Sequence, residues 1–99
     1  MNCIEIITVR GADKDDFEKA LKFCTQVSPG LETKEFVNLN IYRSSGYGSD
    51  LSIHIHWVLE SFSPKKSLLG LRIAKGLNEL GIVSHTLWID QQIIAGKDT

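Results

Sequence analysis

Ten residues, Leu51 to Glu60, constrain this chain more than any others: Leu-Ser-Ile-His-Ile-His-Trp-Val-Leu-Glu. Leu51, Ile53, Ile55, Trp57 and Leu59 share one parity, and Ser52, His54, His56, Val58 and Glu60 the other. Successive strand side chains point to opposite faces, so the segment reads as a β-strand with one apolar face to bury. Two of the chain's three histidines fall on its other face.

The remaining segments supply what such a strand needs. Ile4 to Val9 is a β-branched strand that is apolar on both faces, with Ile4, Ile6 and Thr8 on one side and Glu5, Ile7 and Val9 on the other; this suits a central position. Gly11-Ala12-Asp13 breaks it, and Asp13 is the expected N-cap of a helix whose first turn carries Asp15 and Asp16. Phe17, Ala20, Leu21, Cys24 and Val27 then recur at helical spacing, up to a stop at Ser28-Pro29-Gly30. A second period-two segment covers Lys34 to Arg43, with Val37, Leu39 and Ile41 on the apolar face and Phe36, Asn38, Asn40 and Tyr42 on the mixed one. The turn-rich run from Ser44 to Asp50 joins it to the opening strand as a hairpin. Ser63-Pro64 signals a second helix buried through Leu69, Ile73, Leu77 and Leu80 and widened by Leu68 and Leu71. Gly70 and Gly76 inside it point to close packing against a neighbour, and Gly81 is its expected C′ residue. His85 to Gln91 is the last strand, with Leu87 and Ile89 on one face and Thr86, Trp88 and Asp90 on the other.

The order β-α-β-β-α-β is the split βαβ, ferredoxin-like plan of the α+β class: a four-stranded antiparallel sheet with both helices on one face. One domain is expected over 1–94, with a loose polar tail over 95–99. The open face then carries Phe36, Asn38, Asn40, Tyr42, His54, His56, Val58, Trp88 and Asp90. A hairpin turn centred near Tyr47 sets Asn40 opposite His54 and Asn38 opposite His56. This polar patch is rimmed by Phe36, Tyr42 and Trp88, aromatic residues that call for a cover, and a second copy laid face to face is the simplest one.

Charge and composition exclude other uses of the plan. A net charge of −1 lacks the basic excess of a nucleic-acid module, and the central strands lack the basic-Gly-aromatic signature of an RNA-recognition domain. Cys3 and Cys24 have no CxxC spacing, and the first loop lacks the paired cysteines of a soft-metal carrier. Arg10-Gly11 lacks the glycine run and Lys-Ser/Thr ending of a phosphate loop. No apolar run is long enough for a membrane span, and the start is unlike a signal peptide, so a cytoplasmic location is expected.

The element order, the aromatic-rimmed open face and a tryptophan late in the third strand resemble the dimeric α/β-barrel superfamily, and within it the antibiotic biosynthesis monooxygenase-like proteins. The resemblance implies a homodimer in which two such sheets pair into a barrel, with a small ligand held in each half. Several members are cofactor-free oxygenases of polycyclic phenols, and others degrade or bind haem. The haem degraders use an asparagine on the first strand, a tryptophan on the third and a histidine in the second helical region. Only Trp57 matches, on the helix side, and no histidine lies between Phe62 and Ser84, so haem chemistry does not carry over and no cofactor is expected.

His54 and His56, about 6.5–7 Å apart along one face, are the candidate catalytic residues. An imidazole titrates near neutral pH and can act as base or shuttle. Asn38 and Asn40 would donate to a developing oxyanion, and Tyr42, Phe36 and Trp88 would wall the substrate site. This fits oxidation or isomerisation of an aromatic or enolisable substrate. Two alternatives stand beside it. One is a non-catalytic assembly or partner-binding module whose open face is simply packed, with the histidines satisfied by Asn38, Asn40 or water. The other is a divalent-metal site on His54 and His56, needing a third ligand from Glu5, Asp90 or a partner subunit. Gly46-Tyr47-Gly48 could serve as a lid and Lys65-Lys66 as an anion attractor, but an ordinary hairpin loop and two solvated lysines are the favoured accounts.

Overall fold

The alternating Leu51–Val58 segment is strand β3, inside a four-stranded sheet of order β2-β3-β1-β4. The other elements are β1 (Asn2–Arg10), α1 (Asp16–Gln26), β2 (Phe36–Arg43), α2 (Leu68–Leu77) and β4 (Ile82–Ile89). The structure, a computed structural model, describes all residues except 12, 14, 28–33, 47–49, 60–64, 92–93 and 97–99. The fold is the ferredoxin-like α+β plan, with β1 and β3 central and every strand pair antiparallel.

The two faces follow from parity. On the helix side, Cys3, Glu5, Ile7 and Val9 of β1 and Leu51, Ile53, Ile55 and Trp57 of β3 are all buried. They pack with Ala20 and Cys24 of α1 and Leu69, Ile73 and Leu77 of α2. Each fully buried aliphatic side chain here stabilises the fold by about 1.5–3 kcal/mol relative to exposure.

Pairing across the sheet sets the open face in rows. Asn38 opposes His56, which opposes Ile4, which opposes Trp88; Asn40, His54, Ile6 and Thr86 form the next row; Tyr42, Ser52, Thr8 and Ser84 the third. The expected hairpin register is the observed one up to Asn38, where a β-bulge intervenes. The bulge reverses parity, so Phe36 opposes Trp57 and its ring meets the indole edge-on at 5.6 Å between centroids. Phe36 therefore belongs to the helix side rather than the open face, and Val37 turns outward.

Several helix expectations shift. α1 starts at Asp16 behind Asp15, which makes no side-chain cap bond, so Asp13 is not the cap. The Asp13 N–H instead donates to the buried Asp16 carboxylate at 2.7 Å. Phe23 takes the place in the α1 stripe expected of Leu21, which is exposed. α2 begins five residues after Ser63, capped by Ser67, whose Oγ accepts from the Gly70 N–H at 2.9 Å. Lys65 and Lys66 precede the helix, while Leu68 and Leu71 face solvent rather than widening its stripe. Leu80 follows the helix end at Asn78, and β4 starts at Ile82, three residues ahead of His85. The Ser28-Pro29-Gly30 stop, the Tyr47-Gly48 tip and the Ser63-Pro64 start lie outside the described residues. Among the described residues, no helix is long and apolar enough to cross a membrane.

Candidate functional site

β2 and β3 bring Asn38, Asn40, Tyr42, His54 and His56 onto one patch of the open face, with Trp88 at the β4 edge of the His56 row. The side chains pair differently from the simplest reading. Asn40 Nδ2 donates to Asn38 Oδ1 at 3.0 Å, so the two asparagines bond each other rather than the histidines. His54 turns along its own strand, with Nε2 2.8 Å from Ser52 Oγ. The Tyr42 ring lies over it at 4.6 Å between centroids. The Trp88 indole N–H donates to Thr86 Oγ1 at 2.9 Å.

Burial, reinforced by the neighbouring His56, holds the His54 imidazole below its usual 6.5. The neutral ring, a base with an available lone pair, is therefore favoured near neutral pH. A hydroxyl and an imidazole within hydrogen-bond reach form a proton-relay pair, because Ser52 can pass its proton to Nε2 while accepting another. Ser52 also lines a cavity of about 310 Å³ at the end of the open face, together with Thr8, Arg10, Tyr42, Arg43 and Asp50. Ser52, Thr8 and Arg10 were missed in the sequence. The signal was the register itself, which sets Ser52 between Tyr42 and Thr8.

A second polar cluster lies on the other side of the sheet. Glu5 is fully buried. Its Oε1 accepts from the Trp57 indole N–H at 2.8 Å, and its Oε2 accepts from the Ser67 backbone N–H at 3.2 Å and stands 2.7 Å from His85 Nε2. Gly70 completes the fit, since a Cβ there would overlap Glu5 Oε2. With both oxygens engaged, the cluster is a clamp fixing the start of α2 to β1, β3 and β4. Glu5 is thus on the wrong face to complete a metal site with His54 and His56. Among the described residues, no group of three His, Cys, Asp or Glu side chains gathers to hold a metal ion. His85 was missed as a partner because eighty residues separate it from Glu5.

The same fold occurs in the antibiotic biosynthesis monooxygenase-like proteins. A candidate antibiotic biosynthesis monooxygenase from Deinococcus radiodurans aligns with a TM-score of 0.63 at 14% identity, covering 99% of this chain and 100% of that one. SnoaB, a cofactor-independent oxygenase from Streptomyces nogalater, aligns with a TM-score of 0.57 at 18% identity over 96% of each chain. Rv0793 from Mycobacterium tuberculosis gives a TM-score of 0.59 at 16% identity, covering 96% of this chain and 100% of that one. No protein-family model and no curated relative matches the sequence.

Proposed function

We propose that this chain, which has the fold of the antibiotic biosynthesis monooxygenase-like proteins, binds a small molecule and acts on it by proton transfer, as a cofactor-independent monooxygenase or isomerase of an aromatic or enolisable substrate. The observation that carries this reading is the Ser52–His54 pair at the rim of the open-face cavity. His54 is the base, Ser52 its relay, and Tyr42 the apolar wall beside them. His56, two residues along the same face, adds to the burial that holds His54 below its usual value. Asn38 and Asn40 extend the polar floor away from the cavity. Trp88, 57% exposed, and Tyr42, 49% exposed, leave apolar surface that a second copy covers in a face-to-face homodimer.

The test is proton exchange or oxygen uptake with a panel of phenols and 1,3-diketones. Activity in the native protein that disappears in a folded His54→Ala variant supports the reading. Equal rates in both would remove His54 from the chemistry.

A second reading is a packed assembly face without catalysis. The mutual satisfaction of Asn38 with Asn40 and of Trp88 with Thr86 favours it, since these polar groups need no ligand. It predicts that no member of the panel binds at the cavity.

A further inference from the structure

The open-face cavity is a solvent-open recess bounded by fixed strand ends. One corner of it lies where β1 leaves the sheet beside the start of β3. There the Gly11 N–H donates to Asp50 Oδ1 at 3.1 Å, and Gly11 adopts a φ of +82°, a region where side chains are strained. The Asp50 carbonyl accepts from the Ser44 N–H at 2.9 Å, tying the hairpin to the same corner. These bonds hold strand ends around a space whose volume lies at the lower end of small-molecule sites, which run from roughly 300 to 1,000 Å³. A ligand of one or two rings fits that volume.

The charges around it are unequal. Arg10 and Arg43 line the cavity against a single carboxylate, Asp50, which already accepts from Gly11. The Arg43 guanidinium is stacked on the Phe17 ring, 4.8 Å from its centroid, and is held toward α1. Arg10 shares the parity of Thr8 and so belongs to the open face, where it is exposed. A guanidinium suits a planar carboxylate, which it grips through two parallel hydrogen bonds. Tyr42 supplies an aromatic wall, while Ser52 and Thr8 supply hydroxyls.

We infer that the cavity takes a small hydroxyaromatic carboxylate, with Arg10 gripping its carboxylate and the Ser52–His54 pair receiving the proton of its ring hydroxyl. This rests on the reading of His54 as a base. In the step, the ligand O–H proton passes to Ser52 Oγ as the Ser52 proton passes to His54 Nε2. It leaves a bound phenolate, an intact serine and an imidazolium. No electrons are exchanged, and any later oxidation belongs to the phenolate so formed. The neutral His54 ring has the free lone pair that the transfer requires, and the phenolate formed nearby offsets the burial that disfavours its imidazolium.

The probe is 5-hydroxy-2-nitrobenzoate, whose phenolate absorbs in the visible, compared with 4-nitrophenol, which lacks the carboxylate. The native protein is expected to bind the carboxylate probe about tenfold or more tighter, the scale of one charge-assisted contact. Arg10→Gln should erase that preference while leaving 4-nitrophenol binding in place, and Arg10→Lys should restore part of it. His54→Gln and Ser52→Ala should abolish the growth of the phenolate band that accompanies binding. Thermal unfolding of each variant confirms that it is folded. A probe that binds no better than 4-nitrophenol, or a preference that survives Arg10→Gln, overturns the ligand class while leaving the base intact if the band still depends on His54. A retained preference with a band indifferent to both His54→Gln and Ser52→Ala overturns the relay, and with it the proposed chemistry.

Discussion

His85 Nε2 stands 2.7 Å from Glu5 Oε2, joining the last strand to the first beneath the start of α2. The imidazole is one of three groups on that carboxylate, with the Trp57 indole and the Ser67 amide. A buried carboxylate whose partners are taken away carries a large desolvation cost, whereas the intact cluster repays most of its own.

Glu5→Ala leaves the Trp57 and Ser67 N–H groups without an acceptor and His85 Nε2 without its partner, and it opens a cavity. A loss of about 3–5 kcal/mol is expected, read as a lower urea midpoint at unchanged slope. Glu5→Gln keeps the shape but sets an amide N–H₂ against either the Trp57 indole N–H or the Ser67 N–H. It should be destabilising too, by about 1–3 kcal/mol.

Gly70 and Gly76 separate two reasons for a glycine in a helix. Alanine normally stabilises a helix by about 1 kcal/mol relative to glycine. At Gly70 the new Cβ overlaps the Glu5 carboxylate, so Gly70→Ala should cost about 1–3 kcal/mol instead. At Gly76 the obstacle is the tip of the Phe23 ring, which is only partly buried and can turn aside. Gly76→Ala should therefore cost less than Gly70→Ala. Parallel urea titrations of the two variants check the order.

His54 makes stability depend on pH with a definite sign. Its folded value lies below the usual 6.5, so between the two the unfolded chain binds more protons. The contribution is complete above about 6.5 and is lost as pH falls toward the folded value. Unfolding free energy measured between pH 5 and 7.5 should rise with pH, and His54→Gln should flatten that component.

The two thiols should be slow to react in the folded protein. Cys3 and Cys24 are free and buried, and burial pushes the Cys24 thiol up to about 11. Thiolate is the reactive form. Labelling by a disulfide reagent at pH 8 should be slow under native conditions and rise with denaturant as the helix side opens. Rapid native labelling of Cys24 would contradict its placement.

If two copies meet through the open face, Trp88→Glu should separate them. The substitution places a charge in the row that holds Ile4 and His56. Sedimentation of native and variant protein at matched concentration reads the result directly.

The strands were legible in the sequence because their period is two and one face must be dry. The alternation of Leu51 to Trp57, the central place of Ile4 to Val9 and the register of Asn38 and Asn40 against His56 and His54 all follow from that. Phe36 was misplaced because a bulge adds one residue to a strand and reverses parity beyond it, with no composition signal to announce it. The start of α2 was misread because Ser63-Pro64 and Ser67 are both competent starts, and the contact deciding between them is with Glu5. In the sequence that residue is singled out only as a possible third metal ligand for His54 and His56. Its partners Trp57, Ser67 and His85 lie 52, 62 and 80 residues away, beyond the reach of any local pattern.

The central place of β1 also orders the assembly of the molecule. β1 can pair with nothing until β3 exists, and its second edge stays open until β4 arrives. Among the described strands, the hairpin of β2 and β3 is the one pairing that local sequence can close early. From that hairpin the sheet grows across β1 to β4, and each addition closes a long loop. Until β4 docks, the second edge of the central strand β1 is bare and open to pairing with other copies in solution.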